Sequence, residues 1–201
     1  MNKKSLVTVI IIIVVVGIIL TVRSQKATTI STNTPSNEQV STPGFYSSPV
    51  YNISFSYPTK YILDEKQSTT GKEKRTTISL ITESDRQLMS LADGNNSIPS
   101  DVAPASITVD VFPGAAISQT ADEWVRKNNN SNFKLSPNHQ LASTTIAGIP
   151  AVTYTWSGLL SANSIVFAYK GNIYMMSMNY ITPQDVIWKD FPVVIQSLKL
   201  K

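Results

Sequence analysis

The residue types that most often carry enzyme chemistry are scarce in this chain. His139 is its single histidine, and none of its 201 residues is a cysteine. A Ser-His-Asp site would have to use His139, but the flanking PNHQL carries no signature of one and no Gly-x-Ser-x-Gly motif occurs. A zinc site needs three or four ligands from histidine, cysteine and carboxylate groups. We therefore expect His139 to be a surface loop residue and predict no zinc site.

One loop has part of the spacing of a calcium site. Asp93, Asn95 and Ser97 occupy the first three ligand positions of such a loop. The sixth position is Ile98, where glycine is wanted, and the twelfth is Pro104, where a bidentate acid is wanted. We therefore interpret this stretch as a solvated loop and predict no metal site.

Two pairs of neighbouring acids could supply general acid/base chemistry. They lie at 64–65 and at 122–123. Neighbours on a strand point to opposite faces, and neighbours on a helix lie about 100° apart, so neither pair forms a catalytic couple by itself. A hydrolase would have to draw its acids from distant strands. We predict no catalytic residue and no cofactor.

Aromatic side chains give the chain its remaining candidate site. Three tryptophans fall on apolar phases of predicted elements, and two tyrosines lie in or beside the methionine-rich run YMMSM. Core packing is the ordinary role of such residues, whereas an exposed set could stack on a sugar or contact a partner. The candidate partner contacts are Trp124, Trp156, Trp188, Tyr174 and Tyr180.

The elements that would position these residues begin with strands and a helix. Alternation of apolar and polar residues predicts strands at 51–57, 76–84 and 106–112, with a long polar loop before the last of them. In TADEWVRKNNN the period changes to that of a helix, which Thr120 and Glu123 cap in a capping box.

Turn signals divide the strands of the next region. IAGIPAVTYTW predicts two strand pieces bent at Gly148 and Pro150. Gly171–Asn172 separates two apolar runs and predicts a two-residue hairpin turn. Both faces of these runs are apolar, which is typical of central strands in a sheet covered on both sides.

The closing segment predicts a helix that is interrupted by a proline. Its start is expected at 182–183, where threonine caps and proline fits the first helical position. Pro192 predicts a break near Asp190, followed by a short final strand at 198–200. The order of elements predicts an α+β fold, an antiparallel β-sheet with helices packed on its faces.

An uncharged run of 17 residues lies near the N-terminus, at 6–22. As a helix it would span roughly 26 Å, near the lower limit for a bilayer core of about 30 Å. Lys3 and Lys4 favour a cytoplasmic position for residues 1–5, which places the remainder outside. We predict a single uncleaved transmembrane helix. Cleavage of a signal near Ser24, with secretion of the domain, stays open as the alternative.

A polar stretch separates this run from the rest of the chain. Residues 23–45 are rich in serine, threonine, asparagine and proline, a composition that buries too little to fold. We predict a flexible linker with a reach of roughly 25 Å. The folded domain is then expected at 46–201.

The net charge of +4 is not evidence for nucleic-acid binding. From residue 45 onward there are 13 basic and 12 acidic side chains, so the excess lies in the flanks of the apolar run. No basic run interleaved with aromatic residues occurs in the body of the chain. We predict no nucleic-acid partner.

Most of residues 46–201 resemble the PsbP-like family. The resemblance is carried by YNISFSYP, DEWVRKN, IAGIPAVTYTW, IVFAYKGNIYMMSMNY and FPVVIQSLKL. It implies an α/β/α sandwich and an extracytoplasmic domain that binds a partner and does no chemistry of its own. We therefore expect a membrane-anchored, non-enzymatic binding or scaffold domain with a protein or cell-envelope partner. A cell-envelope hydrolase with carboxylate acid/base residues and a small-ligand carrier are the alternatives.

Overall fold

The computed structural model describes residues 42–70, 73–92 and 104–201, with the side chains of 88–92 excepted. Two short 3-10 turns, Asn129–Ser131 and Phe133–Leu135, follow the second helix. The described strands and α-helices, in chain order, are β1 (Gly44–Ser48), β2 (Ile53–Tyr57), β3 (Tyr61–Thr70), β4 (Glu73–Thr82), α1 (Glu83–Ala92), β5 (Ser106–Phe112), α2 (Ala121–Lys127), β6 (Ala142–Ile146), β7 (Ile149–Ser157), β8 (Ser161–Tyr169), β9 (Asn172–Tyr180), α3 (Ile187–Ser197) and β10 (Lys199–Leu200).

The strands form two antiparallel sheets. The larger has seven strands in the order β3-β4-β5-β9-β8-β7-β6, and the smaller has three in the order β1-β2-β10. Sequence analysis predicted one sheet. The second sheet is built on the pairing of β1 with β2, and β10, close to the C-terminus, adds two residue pairs along β2. Such a pairing leaves no local signal, since its members lie more than 140 residues apart.

The large sheet is buried on both faces because its central strands are apolar on both. In β9, Met176 and Met178 pack against the small sheet and α3, whereas Ile173 and Met175 pack against α2. Both faces are thus covered, as the apolar runs predicted. The expected α+β arrangement of an antiparallel sheet with helices on its faces is confirmed, with the small sheet as an additional layer.

The hairpin between β8 and β9 is shifted by one residue from its predicted turn. Tyr169 pairs with Asn172, so the loop is Lys170–Gly171 rather than Gly171–Asn172. Both loop residues have positive φ, 45° and 76°, which is the signature of a type I′ turn. The glycine therefore occupies the second position of the turn, where the left-handed conformation is free of strain.

The bend predicted at Gly148 is a hairpin of the same type. Ala147 and Gly148 have φ values of 48° and 79°, and Ile146 pairs with Ile149 across them. Pro150 does not bend the chain, because it lies within β7 opposite Thr145.

Two elements were not expected from the sequence. Strand β3 is polar and exposed over its last seven residues, and it pairs with β4 along all ten. Helix α1 begins directly after β4, in a stretch predicted to continue the strand to 84 and then form a loop. Strand β3 has no apolar alternation along its length, so its pairing with β4 decides what the local pattern leaves open.

The closing helix differs from its prediction both in where it starts and in the absence of a break. It begins at Ile187, and Asp185 instead closes a turn by accepting hydrogen bonds from the backbone N–H groups of Ile181 and Thr182. Pro192 lies inside an uninterrupted α3, so the predicted break near Asp190 is wrong. The proline is on the exposed side of the helix, where water can hydrate the carbonyl group that loses its partner.

Other boundaries are closer to expectation. The capping box of α2 is present, with Glu123 N–H donating to Thr120 Oγ1 over 3.2 Å and Thr120 N–H donating to Glu123 Oε2 over 2.9 Å. The final strand β10 falls within the predicted 198–200. Strand β1 begins at Gly44, so the last two residues of the predicted linker at 23–45 are folded instead.

The predicted cytoplasmic end at 1–5, the transmembrane run at 6–22 and most of the linker lie outside the described residues. Within the part of the chain that the structure describes, no helix is long and apolar enough to cross a membrane.

Candidate functional site

Two of the five candidate aromatic residues are core residues. Trp124 is fully buried against Phe112, with ring centroids 4.7 Å apart. Tyr174 is fully buried too, stacked on Phe167, and its hydroxyl donates to the carbonyl oxygen of Tyr51 over 2.6 Å. Each lies on an inward face of a covered sheet or of α2, so neither can contact a partner of the folded domain. The prediction of a partner contact is withdrawn for both.

Trp156 is partly buried on the α2 face of the large sheet. Its Nε1–H donates to Ser164 Oγ over 3.0 Å, and Ser164 in turn bonds Ser177 Oγ over 2.8 Å. The indole is therefore oriented by the sheet beneath it.

Tyr180 and Trp188 lie together at the start of α3. Their ring centroids are 4.8 Å apart at an interplanar angle of 56°. Trp188 is 37% exposed. The turn between β9 and α3 brings the two rings into contact across seven intervening residues.

Two exposed aliphatic residues lie in the turn that joins this aromatic pair. Ile181 and Val186 are each 57% exposed and lie on the same turn, between Tyr180 and Trp188 in sequence. We call Tyr180, Ile181, Val186 and Trp188 the α3 patch. Sequence analysis missed Ile181 and Val186. The available signal was that both are apolar residues in a segment otherwise rich in turn formers, ITPQDV.

A groove of about 430 Å³ adjoins the α3 patch at Val186. It is open to solvent and lies between the start of β3, the start of α1 and the turn before α3. Its lining is mixed, and it includes Lys60, Tyr61, Thr82, Asp85, Asp185 and Val186.

Asp190 is bound by two of the residues that line this groove. Tyr61 Oη donates to Asp190 Oδ2 over 2.6 Å, and Lys60 Nζ lies 2.7 Å from the same oxygen. Burial, together with the hydrogen bond to Asp190 and its negative charge, raises the pKa of Tyr61 far above the ordinary value. The phenol therefore remains a neutral donor.

The two carboxylates that line the groove are also engaged. Asp85 Oδ2 accepts from Thr82 Oγ1 over 2.7 Å. Although partial burial acts to raise it, hydrogen bonds from Thr182 and Ile181 hold the pKa of Asp185 below its ordinary value. A general acid or base needs an available site for a proton at working pH. Asp85 instead stabilises the start of α1 and Asp185 a turn, so the groove is not arranged as a pair of acid/base residues.

The other candidates of the sequence are scattered. His139 is exposed in a loop, with φ of 50° and its ring edge-on to Phe133 at 6.0 Å. Asp122 pairs with Arg126 on α2, and Asp64 pairs with Lys66 on the edge of the sheet. In the described ranges no cluster of three or more His, Cys, Asp or Glu side chains could hold a metal ion. The calcium-like loop at 93–97 lies outside them.

A family model described as PsbP-like protein matches residues 5–200. The chain belongs to the PsbP-like family. The match confirms the resemblance found in the sequence, and it extends from the apolar run through the final strand.

A solved structure shares the fold of this chain at low sequence identity. The solution structure of cyanobacterial PsbP (CyanoP) from Synechocystis sp. PCC 6803 matches with 12% identity and a TM-score of 0.51, over 79% of this chain and 92% of that one. A crystal structure from Bacteroides thetaiotaomicron VPI-5482 matches with 12% identity and a TM-score of 0.47, over 79% of this chain, and the match spans about half, 48%, of that protein. Among curated proteins none matches the chain.

Proposed function

We propose that this PsbP-like chain is a membrane-tethered, extracytoplasmic domain that binds a protein partner through the α3 patch and catalyses no reaction. The observation that carries the proposal is the patch itself. It consists of the Tyr180–Trp188 ring pair and two exposed aliphatic residues in the turn that joins them, beside an open groove of mixed lining. An apolar centre with a polar rim is the usual anatomy of a protein–protein interface.

The chemistry of the patch favours a partner that offers an apolar or aromatic side chain. Tryptophan and tyrosine are enriched among the residues that dominate binding energy. Trp188 stands against Tyr180, so it is already oriented and little conformational entropy is lost on binding. The groove next to Val186 could supply polar contacts to the same partner, from Lys60 and from the other polar residues that line it.

The tether is supported by the sequence. The uncharged run at 6–22 has Lys3 and Lys4 before it and Arg23 after it, and the linker that follows is polar. In a bilayer such a run is forced into a helix, because backbone groups find no water there. The basic N-terminal residues favour the cytoplasm, so the domain would face outward.

The non-catalytic role is supported by the hydrogen bonds of two acidic side chains that line the groove and of Asp190, which contacts its lining. Asp85, Asp185 and Asp190 each accept hydrogen bonds from neighbours that hold local structure together. The hydrolase alternative would require carboxylates with free proton sites converging on a cleft. The carrier alternative would require an enclosed apolar cavity, whereas the groove beside the patch is open.

Photo-cross-linking in cells of the source organism tests the role of the patch. A photo-reactive phenylalanine replaces Val186 in the full chain, and a matched variant carries it at Leu159, which is exposed at 75% and lies in a different turn. We expect one discrete adduct from position 186 that disappears when Trp188→Ala is added. The captured protein, once identified and purified, should bind the native chain and bind Trp188→Ala at least about tenfold more weakly.

The same experiment can contradict the proposal. Equal adduct patterns from positions 186 and 159, or an adduct from 186 that persists in Trp188→Ala, would show that the patch does not select a partner.

A further inference from the structure

Strand β6 forms one edge of the seven-stranded sheet, and among the described residues no strand pairs with its outer side. Its five residues, ASTTI, carry no charge, whereas β3 at the opposite edge carries Asp64, Glu65 and Lys66. Charged side chains on an edge strand discourage pairing with another chain. The β6 edge lacks the protection that the β3 edge has.

The hairpin that joins β6 to β7 determines which backbone groups of β6 point outward. Ile146 and Ile149 flank a two-residue turn, and such a closing pair exchanges hydrogen bonds. Bonded and non-bonded pairs alternate from there, so Thr145 and Ser143 fall at non-bonded positions. Their N–H and C=O groups therefore point away from β7. Pro150, which has no N–H, lies opposite Thr145 at one of these positions.

The side chains leave this edge accessible. Ser143 and Thr145 are exposed, and Thr144 is half-buried. Small hydroxyl side chains allow close approach of a second strand, and Ser/Thr pairs across strands are favourable.

We propose that two copies of the chain pair through β6, antiparallel about a two-fold axis at Thr144. In this register Ser143 of each copy faces Thr145 of the other, so all four outward N–H and C=O groups of each strand are satisfied. With the axis at Ser143, Thr145 would have to pair with Leu141 of the other copy, and Leu141 precedes the strand. With the axis at Thr145, Ser143 would have to pair with Ala147 of the other copy. Ala147 lies in the turn and has a positive φ, so it is not available for strand pairing.

A second copy is favoured as the occupant because the strand is complementary to itself. In the proposed register every residue of β6 faces an uncharged residue of the other copy, so no like charges are opposed. Five residues a side form a small interface, so the pairing should be weak in dilute solution. The proposal rests on the proposed function in one respect, since a common membrane would raise the local concentration of the two copies.

Single cysteines test the register directly, because the chain has no cysteine of its own. At a two-fold axis the two Cα atoms of a non-bonded pair lie about 4.5 Å apart, within the range of a disulfide. Two residues at position 143 would lie beyond about 7 Å, outside it. The full chain carrying Thr144→Cys or Ser143→Cys is expressed in a membrane, oxidised and separated without reductant.

We expect Thr144→Cys to give a band at twice the 22.0 kDa of the single chain and Ser143→Cys to give at most traces. Equal yields from both positions, or no dimer from Thr144→Cys, would overturn the proposal.

A second variant tests the outward hydrogen bonds without relying on cysteine geometry alone. Thr145→Pro removes an N–H that β7 does not use, so it should abolish cross-linking through Thr144→Cys, whereas Thr145→Ala should retain it. Circular dichroism shows whether each variant is folded, and cross-linking that survives in a folded Thr145→Pro chain would also overturn the proposal. Trp188→Ala should leave the cross-link unchanged, so failure of the α3 patch and failure of β6 pairing are separate results.

Discussion

Trp124 and Trp188 have opposite surroundings, although both lie on helices. Trp124 is fully buried in the cluster under α2, and its Nε1–H has no partner in the described part of the chain. Trp188 stands against one ring at the surface. The same residue type thus stabilises the core at one position and forms part of the proposed binding surface at the other.

Alanine substitutions should separate these two roles. Trp124→Ala leaves a large cavity and should lower the free energy of unfolding by about 3–5 kcal/mol. Trp188→Ala loses one ring contact and should cost about 1 kcal/mol, while it abolishes the cross-link from position 186. Denaturant unfolding of the purified protein measures both values. Equal losses of stability would contradict the assignment.

The sequence indicates which aromatic residues to consider, but it does not distinguish the buried ones from the exposed ones. Tyr174 and Tyr180 lie on the same phase of one strand, yet Tyr174 is under the small sheet and Tyr180 is near the strand end beside Trp188. The exposure of a side chain along β9 depends on how far the small sheet and α3 extend over that face of the large sheet. That extent is set by tertiary pairing, which has no local pattern.

At the scale of elements, the two type I′ hairpins fix the register of the C-terminal half of the large sheet. Lys170 and Ala147 occupy the first turn position with φ of 45° and 48°. Neither residue type is preferred there, because a Cβ atom makes the left-handed conformation costly.

Replacing Ala147 should therefore stabilise the protein. Ala147→Asn gives the Asn-Gly sequence that type I′ turns favour, and Ala147 is exposed, so the larger side chain can extend into solvent. We expect a gain of about 1 kcal/mol and a rise in Tm of about 2–4 °C in thermal unfolding. Ala147→Val, which is β-branched, is the matched control and should lower Tm. A lower Tm for Ala147→Asn would show that the turn is not limited by backbone strain.

Elements with their own periodicity or cap were predictable, and those held by their neighbours were not. Helix α2 was found from its capping box, and β5 and β9 from apolar alternation and turn residues. Strand β3 is polar over its last seven residues, and its ten-residue pairing with β4 cannot be inferred from composition. The break predicted from Pro192 is wrong because the free-energy cost of a proline in a helix depends on whether the carbonyl group that loses its hydrogen bond faces water.

At the scale of the whole molecule, buried tyrosines link stability to alkaline pH. The pKa values of Tyr46, Tyr61, Tyr154 and Tyr174 are raised above the ordinary 10.0, in each case chiefly by burial. Below pH 10 the folded and unfolded chains both keep these protons. Above it the unfolded chain loses them first, so the free energy of unfolding must fall as pH rises.

A spectrophotometric titration measures this linkage. The tyrosinate absorbance of these four residues should appear only together with the loss of the circular dichroism signal above pH 10. Development of the whole signal of the eight tyrosines near pH 10 in a protein that remains folded would contradict their burial.

The central claim, that the folded domain stands outside the cytoplasm, is tested most directly by labelling single cysteines in intact cells or spheroplasts. Leu159→Cys lies on an exposed turn of the domain, and Asn2→Cys lies before the apolar run. We predict that a membrane-impermeant maleimide labels Leu159→Cys before lysis and Asn2→Cys only after it. Labelling of Leu159→Cys only after lysis would contradict the account.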